Sequence, residues 1–316
     1  MALTKEQVEL RRTRIGSSEV GALLGIDPYK TALDVYADRV LEREPDEDDH
    51  RSWGLDVEGA ILANHARREG LTLIDPRGTL VHPMLPVCCT PDGIGERANG
   101  RLVDIQAKNV NRHNAHEWGE PGTDDAPLLY VAQVTIELGV LRAMDPYVLS
   151  PVEETAHLVA AIAGDPPACY PIVFDPDLFG TLADVAAKFA CDCLIPQHPP
   201  RGWEQDRSAL EYVKRRFRKS DGRLLPPTDE ARALTLLVAE LRAAGKVAKE
   251  RLERAEAQLY ALIGDAEGFD GLCRWSEQPA VRVEAFERKG HRKLFIDRKF
   301  KAAPAKSAPA LPAANE

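Results

Sequence analysis

The spacing of apolar positions divides the chain into a helical N-terminal stretch, a β-rich middle and a long helix towards the C-terminus. In residues 1–45, Leu3-Thr4-Lys5-Glu6 suits one helix start, Ser17–Gly25 predicts a short helix closed by Gly25, and Asp27-Pro28-Tyr29 reads as a turn. Thr31–Arg43 places Leu33, Tyr36, Val40 and Leu41 near one face and predicts an amphipathic helix running into the acidic loop Glu44–Asp49. Another helix is predicted from about Leu55 to Glu69, with Ile61, Leu62 and Ala66 as its buried stripe. From Leu71 the period shortens. Leu71–Ile74, Thr79–His82, Val87–Thr90 and Leu102–Lys108, separated by Asp75-Pro76, Pro83, Pro86 and Asp92-Gly93, predict strands joined by tight turns. Helix returns over Leu128–Val140, strands are predicted at Tyr147–Val152 and Tyr170–Phe174, and a helix spans about Pro176 to Cys191. Helices, a small sheet and helices again predict an α/β, or α+β, core.

After the Pro-rich stretch Pro196–Arg201 the texture changes. Thr228 opens a long helix with Asp229 and Glu230 in its first turn, where carboxylates favour the helix dipole. Its stripe of Leu234, Leu237, Leu241, Leu252, Ala255, Leu259 and Leu262, closed by Gly264, suits a helical hairpin or coiled coil. Short strands are expected near Leu272–Ser276 and Val281–Phe286, and the Ala- and Pro-rich tail Lys301–Glu316 reads as disordered.

Charge narrows the function classes. With 50 acidic against 41 basic residues and a net charge of −9, the chain cannot coat DNA generically, so nucleic-acid contact must be local. Lys214–Lys219 and Arg288–Lys293 concentrate positive charge, which makes Arg215, Arg216 and Arg218 candidates for backbone contact, with Phe217 and Phe295 as stacking groups. The longest apolar runs, such as Leu158–Ala163, are far shorter than the roughly 20 residues that span a bilayer. Met1–Glu9 is polar and has no apolar h-region, so a cytoplasmic protein is expected. The 6 cysteines show no C-x-x-C pair and read as free thiols, so a zinc or iron–sulfur site is not expected.

The candidate chemistry lies in Pro91-Asp92-Gly93 and Val103-Asp104-Ile105-Gln106-Ala107-Lys108. On a strand, Asp104, Gln106 and Lys108 share one face while Val103, Ile105 and Ala107 point into the core. Three adjacent polar groups are costly to bury without partners, and a hard cation would supply them. A turn carboxylate (Asp92), a side-chain oxygen (Gln106) and a main-chain carbonyl (Ala107) form a set that holds Mg²⁺ with several waters, with Lys108 beside the attacking water. The same spacing also fits a surface β-turn leading to an edge strand with solvated charges. His113 and His116, at i and i+3, read as surface or DNA-proximal residues because no third ligand is evident.

The order of neighbouring motifs resembles the lambda-exonuclease-like, or YqaJ-type, viral recombinase nucleases of the P-D-(D/E)-x-K superfamily. Arg11 with Ile15-Gly16-Ser17-Ser18 and Leu24-Gly25-Ile26-Asp27-Pro28-Tyr29-Lys30 looks like the family's Arg…I-G-G-S…L-G-x-x-P-Y-K segment. Trp53-Gly54 with Glu58 looks like its G-x-x-x-E helix, Cys89-Thr90-Pro91-Asp92-Gly93 like its S/T-P-D-G turn, and Tyr130-Val131-Ala132-Gln133 like its Y-x-x-Q helix. Gln106-Ala107-Lys108 stands where the family has E-x-K. That neutral amide offers an oxygen without charge, so metal affinity falls unless Asp104 or Glu58 compensates.

The resemblance implies a restriction-endonuclease-like core with a mixed central sheet flanked by helices over 1–195. A linker with the basic stretch would cover 196–227, a helical extension with short strands 228–300, and the tail 301–316. It implies Asp92, Gln106 and the Ala107 carbonyl as ligands of Mg²⁺, with Mn²⁺ as a substitute, and Glu58 as ligand or orienter of a second ion. Lys108 would position or deprotonate water, Gln133 would hold the nucleophile side, and Arg11, Ser17 and Ser18 would anchor a 5′-phosphate. The implied activity is resection of linear double-stranded DNA, 5′ to 3′, for a single-strand annealing protein, by a homo-oligomer. A restriction- or repair-type endonuclease and a catalytically weakened DNA-binding scaffold are the alternatives.

Overall fold

The computed structural model describes residues 12–41, 49–74, 78–144, 151–219, 223–263, 268–269 and 273–274. They fall into two units, Met1–Arg216 and Phe217–Glu316. The first opens with β1 (Ile15–Gly16), a 3₁₀ turn at Ser17–Glu19, α1 (Val20–Leu23) and α2 (Ala32–Val40). Gly25, at φ 72°, ends the first helical segment as its position predicts. At the start of α2, Thr31 Oγ1 accepts from the Asp34 N–H at 3.2 Å, and Asp34 accepts from the Thr31 N–H at 2.9 Å, a reciprocal cap.

α3 (Asp49–Glu69) leads to β2 (Thr72–Ile74), β3 (Leu80–Val81), β4 (Val87–Cys89), β5 (Gly93–Glu96) and β6 (Leu102–Val110). α4 (Leu128–Ala143), β7 (Thr155–Ile162), β8 (Ala168–Val173), α5 (Pro176–Phe189) and α6 (Ala209–Arg216) complete the unit. The main sheet has the order β2-β5-β6-β7-β8, antiparallel except for the parallel β6·β7 pair, and is therefore mixed. A smaller sheet has the order β1-β4-β3.

Each face of the main sheet is covered. Val103, Ile105 and Ala107 of β6 and Val159 of β7 pack with Ile61, Leu62 and Ala66 of α3. On the opposite face, Leu158 and Ala160 join the larger core with Val134, Ile136, Leu138 and Leu141 of α4. This is the expected mixed sheet flanked by helices, and it overturns the edge-strand reading of β6, which is the central strand of five.

Other elements depart from expectation. β7 carries no alternating strand signal: buried on both faces, Thr155–Ile162 shows an apolar run without alternation. β5 carries two glycines, which weaken its strand signal, yet a Cβ on Gly93 would sit 2.9 Å from Leu62 Cδ2. Glycine there lets α3 approach the turn that holds Asp92. Part of the stretch read as linker is packed: Tyr212 of α6 is 3% exposed and meets Tyr36 and Trp203 edge-on, at centroid distances of 6.0 and 5.2 Å.

The second unit contains α7 (Asp229–Ile263), an unbroken helix of 35 residues rather than a hairpin, and the short antiparallel pair β9 (Gly268–Phe269) and β10 (Cys273–Arg274). Of its apolar stripe, Leu234, Leu237, Leu241, Leu252, Leu259 and Leu262 are exposed. Arg11, the Leu3 helix start, the Glu44–Asp48 part of the acidic loop, Gly264, the strand at Val281–Phe286, the basic stretch Arg288–Lys293 and the tail lie outside the described residues.

Candidate active site

β6 delivers Asp104, Gln106 and Lys108 to one face, and the preceding turn delivers Asp92 to the same place. Asp92 Oδ2 accepts from the Ala107 N–H at 3.0 Å and from the Gln106 side-chain amide, so the turn is latched to the central strand. The Ala107 N–H serves this latch, while its carbonyl is the atom expected to face an ion. α3 brings Glu58, whose carboxyl is pushed up by burial and by Asp92 and is drawn back down by Lys108, placing the three groups in one electrostatic cluster. Lys108 Nζ also lies 5.2 Å from the Tyr130 ring centroid, a cation–π contact with α4.

Beneath this group lies a set of carboxylates. Asp104 and Gln106 are each 1% exposed and Glu137 of α4 is 0% exposed. Glu137 Oε1 accepts from Ser17 Oγ at 2.8 Å and from Gln133 Nε2 at 3.0 Å. Among the described residues, both Asp104 carboxylate oxygens, Gln106 Oε1 and Glu137 Oε2 are buried with no hydrogen-bond partner. Burial and then neighbouring carboxylates push these acids up: Glu137 to about 7, by desolvation and Asp92, and Asp104 well above its ordinary range, by desolvation, Glu137 and Asp92. Asp92 is raised chiefly by burial against the pull of Lys108.

Four orphaned oxygens on two carboxyl groups and an amide are expensive in a low-dielectric pocket. A hard divalent cation, which prefers oxygen ligands and neutralises carboxylate repulsion, fits this donor set. Of the residues expected to hold a cation, Gln106 contributes one of these oxygens; the others come from Asp104 and Glu137.

The remaining expected residues separate. Gln133 is 8% exposed and Ser17 4%, and both are spent on Glu137; Ser17 therefore supports the carboxylate cluster, while Ser18 is exposed. Arg215 pairs with Asp38 at 3.2 Å, and Arg216 donates to the Tyr212 hydroxyl at 2.6 Å; Arg218 is exposed. His113 and His116 lie on the 3₁₀ turn Arg112–Glu117, whose described residues include none that are buried. Glu137 escaped sequence reasoning. It is the only acidic residue of Leu128–Ala143 and stands one turn after Gln133, a signal that was present in an otherwise apolar helix.

Residues 6–143, which contain the turn, β6 and α4, match the model of the YqaJ-like viral recombinase domain. Over these residues the chain is similar to that domain. The uncharacterized protein YqaJ of Bacillus subtilis (strain 168) is 22% identical over 213 residues, covering 67% of this chain and 62% of that protein. This chain thus aligns with less than two thirds of that relative's length. The crystal structure of an alkaline exonuclease (LHK-Exo) from Laribacter hongkongensis matches at 17% identity and a TM-score of 0.45, covering 67% of this chain and 97% of that one. The structure of LHK-Exo in complex with dAMP matches at 16% identity and a TM-score of 0.46, with the same coverages. The match ends at the C-terminus of α4, so β7, β8 and α5 complete the sheet and its cover from beyond the matched residues.

Proposed function

We propose that the protein is a Mg²⁺-dependent deoxyribonuclease, with Mn²⁺ able to substitute, that resects one strand of linear double-stranded DNA from its ends. The observation that carries this reading is the buried, unpartnered oxygen cluster next to the Asp92–Lys108 face. The match of residues 6–143 to the YqaJ-like viral recombinase domain is in keeping with it. Asp92, Gln106, the Ala107 carbonyl and Glu58 are assigned as the groups that hold the ion, with Asp104 and Glu137 adding charge from below. The bound cation would polarise the scissile phosphate and acidify the attacking water.

Lys108 is assigned to orient that water and to offset negative charge on the phosphate as it becomes pentavalent. Its contact with Tyr130 limits the directions in which its ammonium group can swing. Asp92, fixed by the Ala107 N–H and the Gln106 amide, is held ready without rearrangement of the turn. Gln133 acts on the nucleophile side through Glu137, and Arg11 with Ser18 is assigned to the 5′-phosphate, which sets a 5′ to 3′ direction. A single-strand annealing protein would take the exposed 3′ strand, and a ring-like homo-oligomer would keep the enzyme on its duplex.

The neutral Gln106 favours one second reading, a restriction- or repair-type endonuclease. The experiment is digestion of end-labelled linear and closed circular duplexes with Mg²⁺ and with EDTA. Mg²⁺-dependent release of nucleotides from linear DNA with intact circles is expected. Cutting of circles would select the endonuclease, and binding without cleavage would select a DNA-binding scaffold.

A further inference from the structure

The other face of the main sheet holds a second cluster. His65 of α3, His157 of β7 and Cys169 of β8 bring one nitrogen or sulfur atom each to within 4.8 Å of one another. The fold explains the convergence. Val159 packs against α3, and His157 stands two residues before it on the same face of β7. Cys169 is the β8 partner of Val159, so its side chain also faces α3, diagonally from His157. His65, four residues after Ile61 and one before Ala66, hangs from the same helix onto that face.

The two histidines are 4% and 8% exposed, and His65 Nε2 lies 2.8 Å from His157 Nδ1 with the rings at 86°. We propose that His65, His157 and Cys169 form a binding site for a Zn²⁺-type metal ion, separate from the oxygen cluster that serves hydrolysis. Two imidazoles and a thiol are ligands for a borderline-soft ion and poor ones for Mg²⁺. Burial holds both histidines in the neutral form that coordinates, His65 down to about 4. The Cys169 thiol, kept protonated by burial, releases its proton to solvent as the metal–sulfur bond forms.

The distances demand little movement. Zinc–nitrogen bonds of about 2.0–2.1 Å and a zinc–sulfur bond of about 2.3 Å in a tetrahedron put the donor atoms roughly 3.3–3.6 Å apart. The imidazole pair must open by about half an ångström and the sulfur close by about one, within the reach of side-chain rotation. The fourth position falls to water or to Glu69, one turn after His65 on α3, whose charge is felt by all three groups. Arg68 and Arg97 also act on the cluster with the opposite sign, while Glu153 joins Glu69 in favouring a cation at His157.

The consequence is structural. His65 lies seven residues after Glu58 on α3, about 10 Å along the helix axis, so the metal would pin the end of the helix that carries Glu58 to β7 and β8. This inference stands apart from the nuclease reading, since its ligands are not those of the Asp92 site.

The test uses the full chain stripped with chelator and titrated with Zn²⁺ against a chromophoric competitor, and with Co²⁺ followed by visible absorption. One equivalent is expected, with tetrahedral cobalt bands, a thiolate-to-cobalt charge-transfer band and a raised melting temperature. Cys169→Ala should remove the charge-transfer band and weaken Zn²⁺ by more than about tenfold, since even outer-shell partners are typically worth 10–100-fold. His157→Asn should weaken binding similarly, and Asp92→Ala should leave the cobalt spectrum unchanged. Circular dichroism of the metal-free variants provides the folding control. No stoichiometric binding by the wild type, or a thiolate band that survives Cys169→Ala, would overturn the proposal; so would Zn²⁺ binding that is lost only in Asp92→Ala.

Discussion

Replacing Glu137 by Gln isolates the electrostatic cost of the oxygen cluster. Glu137 Oε1 accepts from Ser17 and Gln133, and a glutamine oxygen can accept both bonds, while the orphaned Oε2 becomes an amide that can donate to Asp104 or Asp92. Packing and the existing bonds are therefore retained while one buried carboxylate is removed. Burial and Asp92 lift the Glu137 carboxyl from 4.5 to about 7. At about 1.36 kcal/mol per tenfold in proton affinity, that rise amounts to about 3 kcal/mol for the ionised, metal-free protein.

The sign follows from linkage: the folded value is raised, so this stability is fully present below pH about 4.5 and is lost as pH rises through about 7. In EDTA at pH 8, E137Q should melt higher than the wild type by several degrees, with about 10 °C as the upper end for a domain of this size. At pH 5, where Glu137 is already protonated, the two should nearly coincide. Mg²⁺ should raise the wild-type melting temperature more than that of E137Q, because the variant has less charge to neutralise. Thermal melts at the two pH values, with and without the ion, measure all of this. If E137Q melts below the wild type at pH 8, or if the difference is the same at pH 5, the buried carboxylates are not in conflict and the cation-site argument loses its main support.

Asp92→Ala and Lys108→Ala should each abolish Mg²⁺-dependent cleavage at unchanged circular dichroism; wild-type rates in either would refute the site assignment. Gln106→Glu should lower the Mg²⁺ concentration needed for cleavage, and a sharp loss of activity would show that the amide is a tuned part of the site. Arg11→Ala should erase a preference for 5′-phosphorylated over 5′-hydroxyl ends, by roughly 10–150-fold for a charge-assisted bond of about 1.5–3 kcal/mol; equal rates on both ends in the wild type would refute the anchor.

The legibility of the molecule in its sequence depended on which signals survive burial. α2 and α3 announce themselves because one side faces the core and the other does not, so Leu33, Tyr36, Ile61 and Leu62 recur at helical spacing and are buried. β7 does not, because it is covered on both faces and its neighbours Leu158 and Val159 go to different cores. The turn and strand of Asp92, Gln106 and Lys108 could be read from local order, since their residues lie close in sequence. Glu137 and the cluster of His65, His157 and Cys169 are assembled by the packing of helices on the sheet. No spacing rule brings residues 65 and 157 together until β6 and β7 are known to be parallel neighbours.

The same geometry changes what the glutamine at position 106 means. Taken alone on its strand, it looks like a lost ligand charge. In the folded site its amide donates to Asp92, so a glutamate there would face that carboxylate, with the Ala107 N–H and Lys108 left to oppose the repulsion. Meanwhile Asp104 and Glu137 already place two buried carboxyl groups behind it. Acidic groups have therefore not disappeared from the cluster; they sit deeper, where desolvation pushes both carboxyls up. Gln106 thus latches Asp92 through its amide N–H and, under the proposed cation site, would offer its unpartnered Oε1 to the ion.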